Sequence, residues 1–226
     1  MFLLPAFLLA VVGIVLQVIF IINEKKKKYV AADVFKGCAS LMFVLIGAIS
    51  FVLIGPDPFV RYIFFGLIFG MIGDIVMNLR FVLEGGAGQK AFLGGILAFL
   101  IGHVMYLLAL FPISIHRIPC IIIGIVLAAA LLIYIFKTMD VKIAFKIFGI
   151  FYLGAIIVMT VMAVDLAIFI PVPKFIIYAL GAVLFMASDV VLIFNTFGGQ
   201  TKFSRRVLNL SLYYIGQLLI AGCLLL

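Results

Sequence analysis

The sequence predicts an all-α, polytopic membrane helix bundle with eight transmembrane helices, and two observations carry the prediction. Of 226 residues, 68% are hydrophobic and only 11% are charged, against roughly 25% charged in an ordinary soluble domain. The mean hydropathy is +1.48, more apolar surface than a soluble domain of this size can hide. Disorder requires low hydrophobicity and does not fit. The bilayer is the solvent that does.

A span needs about 20 apolar residues, and breaks fall where Gly, Pro or charges cluster. The first span is 2–22, closed by Asn23, Glu24 and the run Lys25–Lys28. It lacks a basic leader and a cleavage site, so it reads as a span and not as a removed signal peptide. The second, 37–54, ends at Gly55-Pro56-Asp57-Pro58. The third is 59–79 and is followed by Arg80 to Lys90, whose Gly85-Gly86-Ala87-Gly88 is a flexible loop tip. The remaining spans are 91–111, 118–136, 143–163, 174–195 and 207–226, all joined by short loops. No soluble domain fits between them. The chain, 1–226, reads as a single integral-membrane domain.

The formal charge of +8 reports orientation here, because Lys and Arg accumulate in cytoplasmic loops. The odd-numbered loops and adjoining span ends hold thirteen Lys and Arg; the other side holds Arg61, Arg117 and Lys174. That expectation places both termini away from the cytoplasm. The membrane is the bacterial cytoplasmic membrane, or the endoplasmic reticulum in a eukaryote. The four-lysine run fits a topology signal better than a dedicated anionic-lipid patch.

An internal repeat is visible. Gly66 to Asp74 aligns without gaps on Gly181 to Asp189, with Met three residues before each Asp. Ile101-Gly102-His103 then faces Ile215-Gly216-Gln217. The expectation is two four-helix halves, about 1–111 and 118–226. Four spans is an even number, so the repeat is parallel.

An ionisable group inside the membrane costs about 2.5–3.5 kcal/mol even on lenient scales and is a functional candidate by default. Three stand well inside these spans: Asp74, His103 and Asp189. At about 1.5 Å per residue, the aspartates lie about 8 and 9 Å from the same side. They are the candidate catalytic pair. Gly66, Gly70, Asp74 and Asn78 form one helical stripe, and Asn209, Tyr213 and Gln217 another. His103 and Tyr106 share a face of the fourth span. These groups can line one cavity, with His103, Tyr106, Tyr213, Tyr214, Gln217, Asn78 and Lys36 as substrate-binding or supporting residues. The bland readings differ. Asn78 and Asn195 suit caps at span ends, Tyr213 and Tyr214 suit an interface, and Lys36 suits a side chain that snorkels to the headgroups. His116 is a loop residue without a case.

Other chemistries are weaker. Only His103 and His116 exist, so a three-His zinc site is excluded. Cys38, Cys120 and Cys223 lack disulfide or zinc spacing. There is no GxSxG elbow, no phosphate-binding Gly-rich loop and no basic-aromatic surface for nucleic acid. The pattern calls for no cofactor.

Gly73-Asp74, Phe99 to Tyr106 (with Gly102-His103 inside it), Ser188-Asp189 and Tyr213-Tyr214-Ile215-Gly216-Gln217 together resemble the YhhN-like lysoplasmalogenase family. The likeness covers nearly the whole chain in order, with that family's eight-span layout. One departure is Lys36-Gly37, where the family often has Lys-Pro. The resemblance implies hydrolysis of the vinyl ether of a lysophospholipid, the lysoplasmalogen, to a fatty aldehyde and a glycerophospho-base. Such hydrolysis begins with a proton delivered to the alkene carbon and passes through an oxocarbenium-like cation, so one aspartate acts as acid and the other as carboxylate. The expected pose sets the tail toward the bilayer centre and the headgroup toward the basic loops. Two other classes fit the residues alone: a proton-coupled transporter and a lipid-binding scaffold. All seven prolines lie at or near span ends, unlike the broken helices of many carriers.

Overall fold

The computed structural model describes residues 3–55 and 57–226. Eight helices follow in order: α1 (Leu3–Lys25), α2 (Tyr29–Ile54), α3 (Pro58–Asn78), α4 (Gly86–Leu110), α5 (Arg117–Thr138), α6 (Ile143–Phe169), α7 (Pro173–Phe197) and α8 (Phe203–Gly222). Each is long and apolar enough to cross a membrane. Lipid offers no hydrogen bonds to backbone groups, so a spanning segment closes its own in a helix. The ends are set locally. Asp57 accepts from Val60 N at 2.9 Å and Pro58 starts α3, as a capping carboxylate and a first-turn proline do. Gly55 closes α2 at φ +80°, a backbone conformation that side chains resist.

α4 begins at Gly86, five residues before 91, so Gly86-Ala87-Gly88 opens a helix instead of forming a loop tip. Two further boundaries also differ from the sequence expectation. α2 begins at Tyr29, eight residues before 37, so Asp33 and Lys36 lie inside a helix. α6 continues to Phe169 and takes in Asp165. In both places a charge in an apolar run reads as a helix end. Here Lys36 pairs with Asp74 on α3 and Asp165 with His116 just ahead of α5, and both stay in the helix.

Within the first half α1 packs on α2, α2 on α3 and α3 on α4; in the second, α5 packs on α6, α6 on α7 and α7 on α8. The halves meet where α4 packs on α6 and α2 on α8. In lipid, helices associate through close packing and polar contacts, and glycines supply the first. A Cβ on Gly102 would lie 3.1 Å from Gly66 O and 3.7 Å from Gly70 N. A Cβ on Gly216 would lie 2.8 Å from Gly181 O and 3.1 Å from Phe185 N. The α3–α4 and α7–α8 crossings thus use corresponding backbone atoms. α1 and α5 expose long apolar faces, including Phe7 and Val15 on one and Ile122 and Val126 on the other, as lipid-facing helices do.

Candidate active site

The α3–α4 and α7–α8 crossings hold Asp74 and Asp189 on the inner faces of α3 and α7, both buried. They line one cavity, together with Lys36, Tyr152, Ser188, Arg206 and Tyr213. Its space for the centres of water-sized molecules is ≈ 20 Å³, room for about one water.

The two carboxylates have unequal surroundings. Asp74 Oδ2 accepts from Ser40 Oγ at 2.6 Å and from Tyr213 Oη at 2.7 Å. Its Oδ1 lies 3.1 Å from Lys36 Nζ. Asp189 Oδ2 accepts from Tyr152 Oη at 2.6 Å, and its Oδ1 makes no hydrogen bond among the described residues. Each carboxylate therefore takes a donor from the helix before its own: α2 for Asp74, α6 for Asp189. Each also faces the last helix of the other half, through Tyr213 on α8 and through His103 on α4. His103 Nε2 stands 4.0 Å from Asp189 Oδ2, beyond a direct hydrogen bond. Neither of its ring nitrogens has a hydrogen-bond partner among the described residues, although the residue is buried.

Lys36 corrects an expectation. It does not snorkel: it is 2% exposed and paired with Asp74. The earlier start of α2 puts it seven residues inside the helix, about 11 Å along, and burial of an ammonium demands such a partner. Asn78 corrects another. It caps nothing with its side chain but accepts from Arg206 Nη2 at 3.2 Å. Tyr213 and Tyr214 are buried and not interfacial. Tyr214 Oη donates to Lys36 O at 3.1 Å and lies 3.1 Å from Ser40 Oγ.

Behind the cavity wall, Tyr106 Oη donates to Gln217 Oε1 at 2.9 Å and Gln217 Nε2 to Tyr213 Oη at 3.4 Å. Asn209 Nδ2 donates to Ser188 Oγ at 2.8 Å. The stripe Asn209, Tyr213, Gln217 thus faces inward, and it holds α8 to α3, α4 and α7. Tyr152, Ser40 and Arg206 are site residues that sequence reasoning passed over. Tyr152 and Ser40 sit in apolar runs with nothing to mark them, and Arg206 counted only toward orientation. His116 is not idle either. Its Nδ1 lies 2.8 Å from Asp165 Oδ1, in a pair away from the cavity.

Two further spaces adjoin the cavity. A narrow apolar channel between α4, α5, α6 and α7 is walled by residues such as Phe92, Leu132, Phe145 and Leu153 and ends on Asp189 and Tyr152. A wider, basic vestibule opens beside Arg206. Leu192 lines all three spaces. Among the described residues no cluster of His, Cys, Asp or Glu is placed to hold a metal ion.

The family model described as the YhhN family matches residues 31–224. The chain belongs to the YhhN family. The match spans α2 to α8 and so includes every residue of the carboxylate cavity. Neither a curated protein nor a solved structure matches the chain. This YhhN-family protein thus joins an eight-helix bundle to a buried pair of aspartates on one cavity.

Proposed function

We propose that this YhhN-family protein is an intramembrane hydrolase that cleaves the vinyl ether bond of lysoplasmalogens, releasing a fatty aldehyde and a glycerophospho-base. One observation carries the reading: two buried carboxyls of unequal environment share a water-sized cavity. Asp74 receives an ammonium and two hydroxyls, a donor set that holds negative charge. Asp189 receives one phenol and borders the apolar channel, which suits it to carry a proton. Two carboxyls with two roles set by environment is a recurrent acid/base device.

The chemistry closes. The Asp189 proton passes to the alkene carbon beta to the ether oxygen, forming a C–H bond and leaving an oxocarbenium ion. The Asp74 carboxylate stabilises that cation and takes a proton from the water that adds to it. The resulting hemiacetal collapses: Asp189 removes the hydroxyl proton, the carbon–oxygen bond to glycerol breaks, and Asp74 protonates the departing oxygen. Both carboxyls return to their starting states. No cofactor is needed. General acid–base catalysis of this kind supplies about 10²–10⁴-fold. His103, with Nε2 4.0 Å from Asp189 Oδ2, stands beside that carboxyl and serves as an orienting group.

The test is free aldehyde from purified protein and a lysoplasmalogen in detergent. Asp74→Asn and Asp189→Asn should each lower release by at least about 10²-fold in folded protein, because the amide has the shape but not the proton. Hydrolysis should slow in D₂O, since carbon protonation is the demanding step. Normal turnover in either variant removes the two-aspartate mechanism and puts a proton-coupled transporter ahead.

A further inference from the structure

The vestibule is not explained by carboxylate chemistry. Lys25, Lys27, Arg80, Lys202 and Arg206 line it against one carboxylate, Glu24. Its space for water-sized molecules is ≈ 620 Å³, far larger than the cavity beneath. Five cations to one anion mark a site for negative charge.

Two guanidinium groups organise its inner wall, both close to the Phe81 ring. Arg80 lies 4.6 Å from the Phe81 centroid and Arg206 5.7 Å. Tyr29 stacks on the same ring at 5.7 Å. Arg80 also sits 4.3 Å over Phe92 and makes no ion pair among the described residues. Stacking on aromatic faces fixes a guanidinium while leaving its N–H edges available.

Arg206 is fixed differently. Nε donates to Glu24 Oε1 at 2.9 Å and Nη2 to Glu24 Oε2 at 3.0 Å. Nη2 also donates to Asn78 Oδ1 at 3.2 Å. Nη1 makes no hydrogen bond among the described residues. The guanidinium is therefore held on one edge and available on the other. Arg206 also lines the carboxylate cavity, so it borders both spaces.

We propose that this vestibule is a phosphodiester subsite for a single-chain glycerophospholipid, with Arg80 and Arg206 as the phosphate-binding residues and Glu24 as the positioning residue for Arg206. The proposal rests on the hydrolase reading and adds the recognition of its substrate's head. Covalent structure favours it. In a glycerophospholipid three glycerol carbons separate the ether oxygen from the phosphate oxygen. An anion subsite must then abut the cleaving carboxyls, as the Arg206 side of the vestibule does. Guanidinium groups match phosphate oxygens in geometry as well as charge. The tail would take the apolar channel, which meets the vestibule at Leu192 and Thr196.

The experiment compares purified full-length protein on two vinyl ethers: a lysoplasmalogen and the uncharged 1-alkenylglycerol that lacks the phosphate. The wild type should favour the phosphodiester at least ten-fold in kcat/KM. Arg80→Gln and Arg206→Gln should each cut that preference at least ten-fold, mostly through KM. Glu24→Gln should cut it less, by releasing the pose of Arg206. Equal preference in wild type and Arg80→Gln overturns the subsite while leaving the hydrolase reading intact, and Arg80→Gln decides if Arg206→Gln does not fold.

If neither substrate yields aldehyde, the hydrolase reading fails and binding decides the subsite. The probe is then a fluorescent 1-alkyl lysophosphatidylcholine, which lacks the cleavable bond. Binding displaced by glycerophosphocholine and weakened at least ten-fold in Arg80→Gln upholds the subsite; binding indifferent to both overturns it. Inorganic phosphate displacing the probe as potently as unlabelled lipid overturns the lipid assignment in favour of free phosphate.

Discussion

Tyr152 gives the Asp189 carboxyl its one hydrogen bond among the described residues, at 2.6 Å. Removing that hydroxyl leaves the shape of the side chain and takes away the group that orients the carboxyl. Tyr152→Phe should therefore lower kcat about ten- to hundred-fold with little change in KM, a loss of about 1–3 kcal/mol in the transition state. Steady-state aldehyde kinetics read both constants. His103→Ala should cost less than either aspartate variant, because the ring orients and does not carry the reacting proton. The aspartates were legible in the sequence because a charge within an apolar run has few explanations. Tyr152 was not, since a tyrosine in such a run looks like packing until its hydroxyl is seen to have a partner 37 residues away. Lys36 was misread for a related reason. Its partner Asp74 is on the next helix, and without that partner a lysine near a span end is expected to reach for the headgroups.

Helix crossings are the element-scale counterpart of these contacts. A methyl on Gly216 would meet Gly181 O at 2.8 Å, whereas one on Gly154 would meet nothing within 4 Å. Gly216→Ala should therefore force α7 and α8 apart and destabilise by about 1–3 kcal/mol. Gly154→Ala should be neutral or stabilise by up to about 1 kcal/mol, because it removes only chain entropy from the unfolded state. Unfolding midpoints in one detergent compare the two. The number and order of helices were legible because hydropathy reports what lipid tolerates. The start of α2 and the end of α6 were not, because hydropathy scores Lys36 and Asp165 as exposed charges and cannot see that each meets a partner.

At the scale of the whole molecule, the two halves repeat one scheme. An aspartate on the third helix takes a donor from the second and faces the fourth helix of the other half. We propose that a rotation about an axis near the membrane normal relates the halves 1–111 and 118–226 and carries Asp74 toward Asp189. The basic vestibule then lies at the end that bears Lys25–Lys28, which the charge count assigns to the cytoplasm. A C-terminal reporter active only in the cytoplasm should be silent in this orientation; an active one reverses it.

The buried pair Lys36–Asp74 also constrains how the chain enters the bilayer. α2 on its own would bring an uncompensated ammonium and the Asp33 carboxyl into hydrocarbon, and α3 on its own an uncompensated carboxylate. Each such charge costs about 2.5–3.5 kcal/mol near a helix centre. Together, joined by the short turn at Gly55 and Asp57, the two helices neutralise Lys36 and Asp74 against each other. Insertion is therefore favoured for the hairpin as a unit over either span in turn. The same ion pair that shapes the site thus couples the insertion of α2 to that of α3.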